Sequence, residues 1–226
     1  MNFTDPFIIR SKEDLKSAVE TLGFLPYFRN PIPGFSIEEH VDPRLWFSDE
    51  PGTWEWKGPV IRETGCAYGK FFGGKAVYIS KDCFPDFANY RRDGYDFDAR
   101  YDDGLASYRD KELFELLEPN APILSRKLKE LGDYNKDGKK GFDTLVTRLQ
   151  KQCYILISDF VYMKDRFGKE YGWGVAEYST PEKFFGPEFR KHVYDKEPEE
   201  SLQRVIQRLK DVLPEVSEQE IRRMLR

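Results

Sequence analysis

A cluster of charged side chains between residues 91 and 103 has the composition of a catalytic or metal-binding site. Five carboxylates lie there among three arginines, in the order Arg91, Arg92, Asp93, Asp96, Asp98, Arg100, Asp102 and Asp103. Clustered carboxylates can bind a metal ion or supply a general acid and a general base. The same composition is typical of a solvated loop whose acids pair with its own arginines, and we favour that interpretation. A catalytic acid or base would be sought here first.

Two other stretches match only part of a ligand-binding motif. Residues 133–138 (DYNKDG) begin like a calcium loop, but Lys140 and Thr144 stand where that loop needs an apolar residue and a bidentate Glu. Residues 69–75 (GKFFGGK) have the spacing of a phosphate loop, but Ala76 and the strand-like residues after it do not fit one. The chain has two histidines and no C-x-x-C pair. The sequence therefore predicts no metal site and no cofactor.

The composition predicts a folded protein with an aromatic core. Only 39% of the 226 residues are hydrophobic and 34% are charged, but 15% are aromatic, and disordered chains are poor in aromatics. No apolar run is long enough to cross a membrane, and residues 1–10 do not resemble a signal peptide. Three widely spaced cysteines favour free thiols in a reducing compartment. We therefore predict a cytoplasmic protein without a membrane partner.

The sequence of the N-terminal half predicts a helix, an irregular segment and a β-hairpin. Ser11 and Asp14 form a capping-box pattern before a helix over 12–22. Residues 24–59 contain three of the four Trp and are interpreted as a packed irregular segment. The arms 66–72 and 75–80 predict a β-hairpin with a Gly-Gly turn. Residues 84–107 predict a surface loop with one short helix around 85–92.

The pattern from residue 108 to residue 178 is more regular. Apolar spacing predicts helices over 108–117 (stopped by Pro119), 123–131 and 142–152, then strands over 154–163 and 171–178 joined by a charged turn. This is the element order of a winged helix, in which the third helix lies in the DNA major groove and the turn of the hairpin contacts the backbone. Further helices are predicted from Thr180, from Pro198 and after Ser217.

The charge pattern agrees with this arrangement. Residues 123–170 contain eleven basic and seven acidic residues, although the net charge of the whole chain is −4. A local basic face can bind phosphates in an acidic protein. The residues predicted to contact DNA are polar or basic and lie on the second helix, the third helix and the turn: Arg126, Lys139, Lys140, Thr144, Thr147, Arg148, Lys151, Lys164, Arg166 and Lys169. Asp143, Asp165 and Glu170 on the same face favour a structural or protein-binding wing instead.

The segment from Leu124 to Gly186 (LSRKLKELG, KKGFDTLVTRLQKQCYILISDF, YGWGVAEYSTPEKFFG) resembles winged-helix proteins related to the AlkZ/YcaQ DNA glycosylases, over about a quarter of the chain. That family has a Gln-x-Gln or Gln-x-Asp signature whose side chains place the attacking water. The resemblance implies catalytic roles for Gln150 and Gln152, which match the signature by residue type. The signature lies near the N-terminus in the family, whereas here it closes the third predicted helix.

The predicted fold is α+β. It comprises an N-terminal α/β region with an aromatic core (1–107), a winged helix (108–178) and C-terminal helices packed on it (179–226). The leading hypothesis is a protein that binds double-stranded DNA, including damaged DNA, and resembles the AlkZ-type glycosylases. One alternative is an active glycosylase for modified bases. Another is a protein-interaction module that binds no DNA and forms a homodimer through the apolar stripe of the helix over 199–213.

Overall fold

The fold is a mixed α+β arrangement built on one antiparallel sheet. The computed structural model describes residues 7–46, 51–135, 137–168 and 170–225. The strands of the sheet are β1 (Phe24–Pro26), β2 (Ala67–Phe72), β3 (Lys75–Ile79), β4 (Ile123–Leu124), β5 (Leu156–Lys164) and β6 (Glu170–Ser179). Their order is β1-β3-β2-β5-β6-β4. The α+β class predicted from the sequence is confirmed.

The predicted hairpin in the N-terminal region is confirmed as β2 and β3. Gly73 and Gly74 both have positive φ, at 55° and 83°, which a tight two-residue turn requires and which glycine adopts without strain. β2 also pairs with β5 through Tyr68 and Ile157. The sheet therefore runs without a break from the N-terminal hairpin into the C-terminal hairpin, across the boundary proposed at residue 108. The three-part division of the chain stays a prediction.

The N-terminal helices are α1 (Lys12–Leu22), α2 (Ile37–His40), α3 (Lys57–Thr64), α4 (Phe84–Arg92) and α5 (Phe97–Asp102). The capping box at Ser11 and Asp14 and the bounds of α1 are as predicted. The short helix predicted around 85–92 is confirmed as α4, but the prediction of a surface loop for the rest of 84–107 is wrong. α5 forms there in addition to α4, because the Asp96 side chain caps it by accepting a hydrogen bond from the Ala99 amide, and because Phe97 is buried.

The middle of the chain forms α6 (Tyr108–Asn120), α7 (Ser125–Leu131) and α8 (Phe142–Lys151). α6 runs one residue past Pro119, where we expected Pro119 to stop it. The sequence predicts a helix that begins at residue 123, but residues 123 and 124 are not helical. They form β4 and pair with β6, where Ile123 lies opposite Tyr178.

The C-terminal helices are α9 (Pro181–Phe185), α10 (Pro187–Val193), α11 (Pro198–Val212) and α12 (Glu218–Met224). The apolar stripe of α11 is buried within the chain and packs against α4; its members are Leu202, Val205, Ile206, Leu209 and Val212. This stripe was the basis for the homodimer prediction. It offers no apolar face to a second copy, because α4 already covers it.

The core is rich in aromatic rings, as the composition predicts. Phe24, Phe71, Phe84 and Phe87 are fully buried and contact one another across α4 and the sheet. The three cysteines carry free thiols. Among the described helices, none combines the length and the apolar character that crossing a bilayer demands.

Candidate nucleic-acid interface

Helix α8 presents two chemically different faces. Phe142, Leu145, Val146 and Leu149 are buried, and they recur at the spacing of one helix face. The helix begins after Gly141, whose φ of +87° favours glycine. The opposite face is polar and basic, and it includes the third-helix residues that the sequence predicts to contact DNA.

This polar face lines an open cleft with a volume of about 660 Å³. The residues that line it are Arg91, Arg100, Asp143, Thr144, Thr147, Arg148, Lys151 and Gln152. Four of them are cations, and one is a carboxylate. The structure thus brings together five of the predicted site residues (Thr144, Thr147, Arg148, Lys151 and Gln152) and adds two arginines from other helices.

Arg148 is held in the cleft by an ion pair with a buried carboxylate. Its Nε and Nη2 atoms lie 2.8 and 2.6 Å from Oδ1 of Asp110. The Asp110 side chain is only 3% exposed and also completes the capping box of α6 with Ser107. The guanidinium is therefore fixed in position, and part of its charge is balanced by Asp110.

Arg91 and Arg100 were not predicted as site residues. The Arg91 Nε donates to the Lys151 carbonyl at 2.7 Å, and its Nη1 donates to the Leu225 carbonyl at 2.7 Å. Arg100 donates to the Arg92 carbonyl at 3.4 Å. From the sequence we expect these arginines to pair with acids of their own segment, but these bonds go to backbone carbonyls instead. A signal was present for Arg91, which follows Phe84, Phe87 and Ala88 at the spacing of one helix face and so points toward the packed side of α4.

The two glutamines of the Gln-x-Gln pattern lie in different environments. Gln150 is fully buried. Its Oε1 accepts from the Lys70 amide at 2.9 Å, and its Nε2 donates to the Val146 carbonyl at 3.3 Å, so it joins α8 to β2. Gln152 is half-buried and lines the cleft, and its buried Oε1 has no hydrogen-bond partner among the described residues. Only Gln152 therefore offers an amide group to a molecule in the cleft.

The other predicted DNA contacts lie outside the lining of this cleft. Lys139 pairs with Glu112 at 2.6 Å, and the Lys140 carbonyl accepts from Arg109. Arg126 on α7 is exposed. Lys164 and Arg166 are exposed at the turn between β5 and β6, and Lys169 lies outside the described residues.

The acidic residues between 93 and 103 mostly serve local structure. Asp96 caps α5, and Asp103 accepts from the Tyr95 hydroxyl at 3.0 Å. Asp93 ends α4 in the left-handed conformation, with φ of 55°. Across the described part of the chain, no three acids, histidines or cysteines are grouped so that they could hold a metal ion.

The resemblance to a known family extends beyond residues 124–186. A family profile described as "AlkZ related" matches residues 9–226. No curated protein and no solved structure shows a significant match to this sequence. The matched range includes both hairpins of the sheet, the cleft on α8 and the C-terminal helices, so the chain belongs to the AlkZ-related family.

Proposed function

We propose that this protein binds double-stranded DNA, and that residues 108–178 form a winged helix. The order α6, β4, α7, α8, β5, β6 and the pairing of β4 with β6 support this fold. The loop between α7 and α8 spans residues 132–141, which is longer than the turn of a simple helix-turn-helix. α8 would take the place of the recognition helix, and the β5–β6 turn would be the wing.

One observation carries the proposal. The cleft on the exposed side of α8 gathers four cations against one carboxylate, in a chain whose net charge is negative. Phosphate contacts by Arg and Lys supply most of the non-specific affinity for DNA. Membership of the AlkZ-related family supports the same partner.

Lys151 is the best probe of this cleft. Its side chain forms no ion pair among the described residues, and its substitution leaves intact the backbone carbonyl that Arg91 contacts. Arg148 and Lys139 are poorer probes because they already pair with Asp110 and Glu112. Lys81 is a matched control, since it is exposed and lies just before the N-terminal end of α4, whereas Arg91 of the cleft lies at the C-terminal end of that helix.

The experiment is fluorescence anisotropy of a labelled random duplex at several salt concentrations. We expect affinity to fall with salt, and Lys151→Gln to lower the slope of log K against log salt by about 0.9, the contribution of one phosphate contact. Lys81→Gln should leave the slope unchanged. Absence of binding at low salt, or equal slopes for both variants, would refute the proposal.

A second candidate function is hydrolysis of the N-glycosidic bond of a modified base, as suggested by the free amide oxygen of Gln152. Such a reaction needs an oriented water, and a Gln oxygen can accept one of the protons of that water. Asp143 also lines the cleft but lies nine residues before Gln152, or about 13.5 Å along the axis of α8. The test is an abasic-site assay on alkylated duplex with wild type and Gln152→Leu. Abasic sites formed equally by both proteins would remove Gln152 from the reaction.

The homodimer loses its structural argument in this fold, whereas a protein-binding wing stays a prediction. Leu209, the position at which we would disrupt a dimer, is fully buried against the rest of the chain. A Leu209→Glu variant would therefore unfold the protein whether or not it dimerises. Light scattering of the wild type at several concentrations is the direct test of a dimer.

A further inference from the structure

Lys57, the first residue of α3, lies between two aromatic rings. Its Nζ is 4.1 Å from the centroid of Phe160 on β5 and 4.9 Å from that of Trp54. The side chain is half-buried, and no carboxylate among the described residues lies within ion-pair distance of it. It is thus an amine placed among apolar groups without a counter-ion.

This environment favours the neutral amine. Burial lowers the pKa of Lys57 to about 8, and Glu55, the one charged group that opposes this, has a smaller effect. The N-terminal end of α3 also disfavours a cation, whereas the two rings partly favour it. Desolvation in an apolar pocket is one of the ways in which proteins activate a lysine as a nucleophile.

The surroundings of Lys57 also offer contacts to a ligand. Trp173 on β6 is 72% exposed and packs edge-on against Trp54, with ring centroids 6.3 Å apart. The buried Nε1 of Trp54 has no hydrogen-bond partner in the described part of the chain. An exposed ring can stack on a base or cover a sugar, and the indole N–H is an unused donor.

Gly174 on β6 lies close to the residues of β5 beside Lys57. A Cβ at position 174 would lie 3.1 Å from the Cβ of Phe160 and 3.1 Å from the Cε2 of Tyr162. A side chain there would therefore make tight contacts with Phe160, whose ring Lys57 contacts, and with the ring of Tyr162. The absence of a side chain on β6 therefore allows the close packing of β5 and β6 under the amine.

Lys57 is linked to the proposed wing through strand β5. Phe160 precedes Lys164 by four residues, or about 13 Å along a strand. Lys57 therefore contacts the same strand, β5, that ends at Lys164 in the proposed wing.

We propose that Lys57 captures the aldehyde of a deoxyribose as an imine. This inference rests on the proposed function, because DNA supplies that aldehyde at an abasic site, where the base has been lost and the sugar ring opens. The lone pair of Nζ attacks C1′, and the aldehyde oxygen leaves as water with the two protons of the amine once a C=N bond has formed. Trp173 would cover the sugar during this step.

The experiment traps the imine by reduction with cyanoborohydride at pH 8. One arm uses 2-deoxyribose 5-phosphate and peptide mass spectrometry, and the other uses a labelled duplex with a single abasic site. At this pH an amine with a pKa of about 8 is half deprotonated, about 100 times more than an ordinary lysine. The variants are Lys57→Arg, which keeps the charge and the ring contacts but forms no imine, and Lys81→Arg as the control.

We expect the wild type and Lys81→Arg to be labelled at Lys57. Lys57→Arg should form less of the trapped product by at least about tenfold. Labelling in the sugar arm alone would keep the imine chemistry and identify free deoxyribose as the source. Equal trapping by Lys57→Arg, or no labelling in either arm, would overturn the inference. Anisotropy with intact duplex is measured in parallel, so failure of DNA binding is seen separately from failure of imine formation.

Discussion

Replacement of Gln150 by Leu distinguishes a structural role of this residue from a catalytic one. Gln150 is fully buried, and its Oε1 is the acceptor for the Lys70 amide of β2. Leu is close in size and apolar, so the variant keeps the packing of α8 and removes the acceptor. The Val146 carbonyl keeps its regular bond from the backbone of residue 150 within α8.

The loss of stability comes from the Lys70 amide, which the substitution leaves without an acceptor. A buried N–H that loses its acceptor destabilises a protein by about 1–3 kcal/mol. For a chain of this length each kcal/mol lowers Tm by about 2–4 °C, so we expect a decrease of about 2–12 °C. The affinity of the folded protein for DNA should stay unchanged, because Gln150 does not line the cleft.

The assay is urea unfolding with calorimetry, and Gln152→Leu is the matched control. The buried oxygen of Gln152 has no described partner, so its removal leaves no donor unsatisfied and should change stability by less than about 0.5 kcal/mol. Equal stabilities of Gln150→Leu and wild type would refute the role of Gln150 in joining α8 to β2. Loss of a glycosylase activity at unchanged stability would instead assign Gln150 to catalysis.

Three further outcomes follow from buried charges and thiols. Arg92→Met should lower the free energy of unfolding by about 3–5 kcal/mol in chemical unfolding. Arg92 is 1% exposed, and its loss leaves the carboxylate of Glu182, 2.6 Å away, without its cation. A decrease below about 1 kcal/mol would contradict this. Burial raises the pKa of Cys153 to about 12, so iodoacetamide at pH 8 should modify half-buried Cys83 first, and faster labelling of Cys153 would count against the fold. Because folding lowers the pKa of Lys57, the unfolded state binds more protons between about pH 8 and pH 10, so the stability of wild type relative to Lys57→Met should rise across that range and not fall.

The sequence was sufficient for features that depend on nearby residues. The capping box of α1, the Gly-Gly hairpin and the apolar face of α8 are set by spacings of two to seven residues, and all three are present. The basic and polar residues on the outer face of α8 follow from the same periodicity, so Thr144, Thr147, Arg148 and Lys151 could be grouped before the fold was known.

Tertiary structure decided which of these groups are available for chemistry. Gln150 and Gln152 are two residues apart, yet one is closed off by β2, eighty residues earlier in the chain, and the other faces the cleft. Arg91 and Arg100 enter the cleft from α4 and α5, and α4 also covers the stripe of α11 that indicated a dimer. Local spacing fixes the face of a helix on which a side chain lies. Only long-range packing fixes what covers that face, because the covering residues come from distant parts of the chain.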